Sequence, residues 1–284
     1  MLIAQITDVH LGFGGHDPDS LNRRRLDAAL DALTRLDPRP ELLLMTGDLA
    51  DAGDDDLAYR RLKEAIAALP FPAWPAVGNH DGRAAFAAHY PALLSEEGFF
   101  HYAIDAHPVR ILVLDTLEEG RHGGAFCEAR AAWLEARLAE APDRPTLIAL
   151  HHPPIDSGLG WMGENPDACW VRRLEAVVAA HDHVVGLAAG HLHRPLVTRF
   201  AGTMLAVCSS TAPQLSLELG AIDPEAPDGR AFIVEEPPAF ALHLWTGRGL
   251  VTHFGRAADG PVLARFGPPL QPLIRLLAQE RHGR

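Results

Sequence analysis

The chain has 284 residues, 48% apolar and 22% charged, and a formal charge of −12. That length and apolar share suffice for one large domain with a sizeable core. The acidic balance excludes a general binder of nucleic-acid polymers or of an anionic membrane surface, since both need clustered Lys and Arg.

Short apolar runs alternate with amphipathic segments, the pattern of an α/β fold. "LIAQIT" (2–7) reads as the first strand, with no export signal before it. In "SLNRRRLDAALDALTRL" (20–36), Leu26, Ala29, Leu30 and Leu33 recur at helical spacing behind Ser20 as N-cap. After the strand "ELLLMT" (41–46), "DDDLAYRRLKEAIAAL" (54–69) opens on three aspartates that suit a helix N-terminus and stops at Pro70. Strands are expected at 72–77, 110–115, 145–150 and 184–189, and helices at 127–139 and 169–180. From about residue 196 the helical period fades into strands at 195–200, 203–208, 231–236, 239–245 and 250–255. "TGRG" (246–249) reads as a hairpin turn, and the tail after Pro268 as a short helix and then disorder. The whole is expected to be a single domain, with 216–284 a strand-rich extension of a core at 1–215. No apolar run is long enough to span a bilayer, and Cys127, Cys169 and Cys208 form no CxxC pair. The expectation is a soluble protein of the reducing cytoplasm.

The apolar runs end in residues of one chemical kind. After 2–7 come Asp8 and His10 ("DVH"); after 41–46, Asp48 ("GD"); after 72–77, Asn79, His80 and Asp81 ("GNHD"). After 145–150 come His151 and His152 ("HHPP"), and after 184–189, His191 and His193 ("GHLH"). The carboxyl ends of strands are where the loops of an α/β sheet converge on a ligand. Singly, each cluster has an ordinary explanation as an Asx-turn, a cap, a tight turn or a stretch fixed by its prolines. Five in order, three of them opening on glycine, are not explained by turns. His191 and His193, two positions apart in extended chain, face one side.

The ordered series DxH, GD, GNHD, H and GHxH resembles that of the calcineurin-like metallophosphoesterases, over residues 1 to 215. "HHPP" and the short "GHxH" ending are similar to the branch of cyclic-nucleotide phosphodiesterases and glycerophosphodiesterases. The resemblance implies a four-layer αββα sandwich, two packed mixed sheets flanked by helices. It implies two transition-metal ions (Fe, Mn, Co or Zn), one on Asp8, His10, Asp48 and His193, the other on Asp48, Asn79, His151 and His191. It implies hydrolysis of small phosphodiesters by a hydroxide bridging the ions, with 3′,5′-cyclic nucleotides such as cAMP ahead of glycerophosphodiesters. A broad phosphomono- or diesterase is the alternative within the enzymes, and a metal-free interaction scaffold of the same fold the alternative outside them. His80 is expected to face the substrate beside Asn79 and act in catalysis, with Asp81 holding its ring. His152 is expected as pocket wall, and dimers or larger assemblies are usual among relatives.

Two departures narrow the branch. Purple acid phosphatases carry a Tyr ligand where this chain has Asp51, and "GDLADAGDD" lacks the Asp-Arg-Gly run of the protein Ser/Thr phosphatases. Trp161 and Met162, in "GLGWMGENPD", offer either a stacking surface for a base or a packed loop. "GFGG" (12–15) reads as a loop at the pocket rim. His243 reads as a cross-strand residue, and His181 and His183 as the end of a helix. His16, His89, His101, His107, His122, His253 and His282 have no companion pattern and are assigned surface or structural roles.

Overall fold

The computed structural model describes residues 1–105, 108–258 and 260–282. His107, the side chain of His282 and the residues beyond it, where disorder is expected, lie outside the described residues. Strands β1 (Leu2–Ile6), β2 (Leu42–Thr46) and β3 (Ala73–Ala76) run parallel and lead respectively into helices α1 (Leu21–Thr34), α2 (Asp56–Ala67) and α3 (Arg83–His89). Next come β4 (Tyr102–Ile104), β5 (Arg110–Val113), α4 (Glu128–Ala139), β6 (Thr146–Ala149), α5 (Cys169–Ala179) and β7 (Val184–Ala189). The chain then runs through β8 (Leu196–Phe200), β9 (Thr203–Val207), β10 (Gln214–Leu215), β11 (Ile233–Val234), β12 (Ala239–Trp245) and β13 (Leu250–Arg256), and ends in α6 (Gln271–His282).

Two large mixed sheets form, in the orders β13-β12-β1-β2-β3 and β4-β5-β6-β7-β9-β8, while β10 and β11 make a separate two-stranded ribbon. Side-chain alternation along the strands produces three cores. Ile3, Leu42, Leu44, Ile111, Val113 and Leu147 point between the sheets. Their neighbours Ala4, Ile6, Leu43 and Met45 turn outward onto Leu26, Leu33, Tyr59 and Leu62 of α1 and α2. Leu112 and Ile148 of the second sheet turn the other way, onto Leu134 and Leu174 of α4 and α5. Three cores between four layers is the αββα sandwich. No helix among the described residues is long and apolar enough to cross a membrane.

Local chemistry accounts for several boundaries. Asp55 caps α2 by accepting the amide of Ala58, and Pro75 is tolerated because β3 is an edge strand. Ser20 occupies the N-cap position of α1, but its hydroxyl makes no capping bond. The hairpin at 246–249 closes with Thr246 N–H donating to Gly249 O at 3.1 Å. Of the strand expected at 231–236 only Ile233–Val234 pairs. The helix α3 and the short β4 and β10 have no counterpart among the elements expected from sequence, because two- and three-residue strands carry no period and α3 buries only Phe86.

Polar groups also bridge the sheets. The Gln5 amide donates to Thr46 Oγ1 (2.8 Å) within its own sheet and to Ala189 O (2.9 Å) across the gap. His243 sits 3.0 Å from Gln5 Oε1 and 2.8 Å from Thr252 Oγ1, the cross-strand role read from the sequence. Burial pushes the His243 imidazole from 6.5 down to about 4. Between those values the unfolded chain binds a proton that the folded chain refuses, so stability is full above pH 6.5 and falls as pH drops toward 4. The His243 share of that loss is about 3 kcal/mol. In His243→Gln, denaturant titrations are expected to give a shallower fall of stability between pH 6.5 and 4; an unchanged slope would show that the ring is not a buried neutral base.

Candidate metal centre

The two sheets bring five strand ends to one place. Asp8 and His10 come after β1, Asp48 after β2, Asn79 and His80 after β3, His151 and His152 after β6, and His191 and His193 after β7. Among the described residues six non-glycine residues have positive φ, and five of them are Asp8, His10, Asp48, His191 and His193. Left-handed backbone costs roughly 1–3 kcal/mol at such residues and persists only where the surroundings hold it. Here they do. Asp48 O accepts the amides of Val9 (2.8 Å) and His10 (3.0 Å), Asp48 Oδ1 accepts the amide of His80 (2.7 Å), and Asp8 Oδ2 accepts that of His191 (2.9 Å).

Glycines permit this crowding. A Cβ on Gly78 would lie 2.3 Å from Asp48 Oδ1, and one on Gly190 would lie 1.9 Å from Thr7 Oγ1 and 3.0 Å from Asp8 Oδ2. Gly78→Ala is therefore expected to push the Asp48 carboxylate aside and lower turnover by roughly 100-fold, the cost of a displacement on the order of an ångström at a reacting centre. Steady-state kinetics on folded protein checks it; wild-type turnover would mean the contact relaxes elsewhere.

Among the described residues four overlapping groups of three could hold a metal, each with ligand atoms within 4.8 Å of one another: Asp8–His10–His193, His10–Asp48–His80, Asp8–Asp48–His151 and His151–His152–His191. The imidazoles are aimed. His151 Nδ1 donates to Thr46 O (2.7 Å), His193 Nδ1 to Pro213 O (2.9 Å), and His10 Nδ1 to Asp51 Oδ1 (3.2 Å). Each bond fixes the tautomer so that Nε2 carries a lone pair into the shared space. There His10 Nε2 and His193 Nε2 face each other at 3.2 Å. His151 Nε2 is 3.3 Å from Asp48 Oδ2 and 3.1 Å from Asn79 Oδ1, and His193 Nε2 is 3.4 Å from Asp8 Oδ1. Asp8 Oδ1, His152 Nε2 and His191 Nδ1 are buried without any hydrogen-bond partner. Facing lone pairs and orphaned acceptors form a set that a cation satisfies, so the residues fit a metal.

The ionisation of the site agrees. Burial alone raises Asp48, but His151, His10 and His80 outweigh it and hold the carboxyl well below its usual range. Asp8 is likewise lowered against the pull of burial, mainly by His193. Burial lowers His151 and His193, but Asp48 and Asp8 overcome it and raise both. His191 and His152 go well below the ordinary histidine value through burial and the neighbouring imidazoles, so they stay neutral. The space thus attracts positive charge: His151 and His193 hold a proton against Asp48 and Asp8 that a cation would displace, while His152 and His191 keep their lone pairs bare.

The surroundings correct the sequence reading in two places. Asp81 does not hold the His80 ring: its carboxylate accepts the amides of Leu49, Ala50 and Gly78 and the Tyr59 hydroxyl (2.8 Å), fixing the backbone under Asp48 and Asn79. Burial and Asp48 raise that carboxyl to about 6. His80 is oriented by Asp51 instead, through Nδ1 donating to Asp51 O at 2.9 Å. His122, assigned to the surface from sequence, lies in the site, its ring 5.2 Å from that of His191 and 6.2 Å from that of His80. His152 is fully buried with Nδ1 2.8 Å from Thr116 Oγ1, and its ring lies 4.7 Å from His191.

A cavity of about 250 Å³ opens above these groups. Its floor includes His10, Asp48, His80, His122, His191 and His193; its wall includes Phe13, Trp161, Met162, Phe232 and Ile233. Trp161 stacks on Phe232 with centroids 4.2 Å apart and planes inclined by 21°. Phe13 comes from the "GFGG" loop, which therefore does sit at the rim.

Comparison with known proteins agrees with this geometry. The model of the calcineurin-like phosphoesterase family matches residues 1–195. A probable cyclic nucleotide phosphodiesterase of Rhodopseudomonas palustris is 34% identical over 274 residues, covering 93% of this chain and 96% of its own. A probable glycerophosphodiester phosphodiesterase, GpdQ, of Arcobacter nitrofigilis is 29% identical over 259 residues, covering 89% and 92%. Among solved structures, a dimetal phosphatase of Danio rerio shares the fold at a TM-score of 0.61 and 15% identity, covering 91% of this chain and 99% of that one. With the family matched over more than half its length and its strand-end residues converging as described, the chain belongs to the calcineurin-like phosphoesterases and is a phosphoric ester hydrolase.

Proposed function

We propose that the chain is a phosphodiesterase for small diesters that uses two transition-metal ions, and that 3′,5′-cyclic nucleotides are its preferred substrates. One ion is assigned to Asp8, His10, Asp48 and His193 and the other to Asp48, Asn79, His151 and His191, with Asp48 shared. The observation that carries this is the convergence of the His10, His151 and His193 rings with Asp8 and Asp48 in groups whose ligand atoms lie within 4.8 Å of one another, beside the buried and unpartnered His191 Nδ1. The mixed imidazole, carboxylate and amide set suits Fe, Mn, Co or Zn. Such ions, when bound, lower the pKa of a water and screen the phosphoryl oxygens.

The chain's own residues do the rest. Asp51 holds His10 and His80 in orientation, and His80 and His122 belong to the floor on which the phosphoryl group would rest. His80 hydrogen-bonds a phosphoryl oxygen or the departing alkoxide oxygen. Strands β12 and β13 complete the sheet that carries Asp8 and Asp48, and on this reading the whole chain is one domain.

The preference for a nucleotide rests on the stacked Trp161–Phe232 pair, a flat apolar wall beside the phosphate floor that suits a base better than a glycerol. Base–aromatic stacking is worth about 1–3 kcal/mol, so Trp161→Ala is expected to raise KM for cyclic AMP roughly tenfold and to leave KM for a glycerophosphodiester unchanged. Turnover measured with Mn on cyclic nucleotides, glycerophosphodiesters and a monoester tests the assignment directly. A monoester outpacing every diester would replace it with a phosphomonoesterase.

A further inference from the structure

The cavity above the floor has one aromatic ring that the stacked pair leaves unexplained. Besides imidazoles, the rings that line it among the described residues are Phe13, Trp161 and Phe232. Trp161 and Phe232 cover each other. Phe13 has no ring partner among the described residues and is 56% exposed. Phe232 (49%) and Ile233 (60%) are exposed at the same cavity, so Phe13 is part of an apolar rim rather than a stray surface group.

The loop that carries Phe13 is held at its ends and open at its tip. Leu11 N–H donates to Leu49 O (3.1 Å) and Phe13 N–H to His10 O (3.3 Å), which ties the start of the loop to the metal-site backbone. At the far end the His16 ring lies 3.1 Å from the Asp55 carboxylate, and Arg61 donates to His16 O. Between these anchors Gly14 and Gly15 both have positive φ, yet a Cβ on either would meet nothing within 4 Å. Those glycines serve the backbone, not a tight contact. The loop follows β1 of the first sheet, whereas Trp161 lies between β6 and α5 of the second. The two rings therefore reach the cavity from opposite sides of the sandwich.

We propose that Phe13 is a specificity-determining residue that stacks on the second face of the substrate's base, clamping it against the wall of Trp161 and Phe232. The clamp rests on the cyclic-nucleotide reading above. A base laid on that wall alone keeps one π-face in water, and Phe13 is the ring placed to cover it. Stacking on two faces favours a nucleoside diester over one whose alcohol carries no ring. The tie of Phe13 to His10 O sets the clamp beside the phosphate floor, where the base of a small cyclic diester must lie.

The test uses the full-length, Mn-loaded protein and steady-state kinetics on cyclic AMP, with inorganic phosphate as an inhibitor that occupies the floor alone. Phe13→Ala is expected to raise KM for cyclic AMP roughly tenfold, while kcat, inhibition by phosphate and metal content stay at wild-type levels. Phe13→Trp is expected to keep the wild-type KM, and Phe13→Leu, apolar but without a π-face, to stay near the alanine value. A wild-type KM in Phe13→Ala beside a raised KM in Trp161→Ala would overturn the clamp and leave the one-sided wall standing. Wild-type KM in both variants, or no turnover of cyclic AMP by the wild-type protein, would remove the nucleotide reading and the clamp together. Phe13→Leu matching wild type would overturn stacking in favour of plain apolar cover. Loss of metal in Phe13→Ala would make the residue a brace for His10 and overturn the clamp as well.

Discussion

Asp48→Asn is expected to lower diester turnover by roughly three orders of magnitude, about 4 kcal/mol of barrier, and to cut the metal content below that of wild type. The substitution keeps the shape and removes the charge. Asp48 is buried, its Oδ1 is occupied by the His80 amide at 2.7 Å, and its Oδ2 lies 3.3 Å from His151 Nε2 and 3.7 Å from His10 Nε2. One oxygen of Asp48 thus reaches both the His10 side and the His151 side of the site. An amide there donates where lone pairs already face inward, so it weakens both halves at once. Turnover combined with elemental analysis checks the expectation. Near wild-type values for both would remove Asp48 from its shared position.

His80→Ala is expected to reduce kcat by about 10²–10⁴-fold while the metal content stays at the wild-type level. The ring is held through Nδ1 by Asp51 O at 2.9 Å and lines the cavity beside Asp48. Its backbone amide, not its ring, is what braces Asp48, and alanine keeps that amide. Kinetics and metal analysis on the same sample separate the roles. Loss of metal along with turnover would make His80 a ligand, a role its proximity to His10 and Asp48 also permits geometrically.

The parts of the site legible in sequence are those that strand periodicity places. Asp8, Asp48 and Asn79 lie just past parallel strands of one sheet, and His151 and His191 just past parallel strands of the other, so alternation and chain order suffice to send them to one end of the sandwich. The left-handed backbone of His10 and His193 and the need for glycine at 78 and 190 depend on contacts between strands, which no local pattern encodes. Adjacency in sequence suggests Asp81 as a partner of His80. In the fold a buried carboxylate serves the nearest unpaired amides, and those belong to Leu49, Ala50 and Gly78.

His122 illustrates the deeper limit. It lies on the loop between β5 and α4, and long-range ion pairs shape the approach to that loop. The buried Asp115 accepts Arg83 Nε (3.0 Å) and Nη2 (2.8 Å), while Arg130 Nη1 donates to Asp115 O, Leu117 O and Ala125 O. Nothing near His122 in sequence announces those partners. Phe232 is similar: it reaches Trp161 at the end of a two-residue ribbon too short to show a period. Sequence reveals the aromatic wall from one side only.

The proposed sharing of Asp48 between two ions is tested most directly by counting metal. Protein prepared without chelator and loaded with Mn is expected to carry close to two ions per chain, with magnetic coupling between them in its electron paramagnetic resonance spectrum, and to lose that coupling in Asp48→Asn. Less than one ion per chain after loading, or two ions with no coupling, would contradict it.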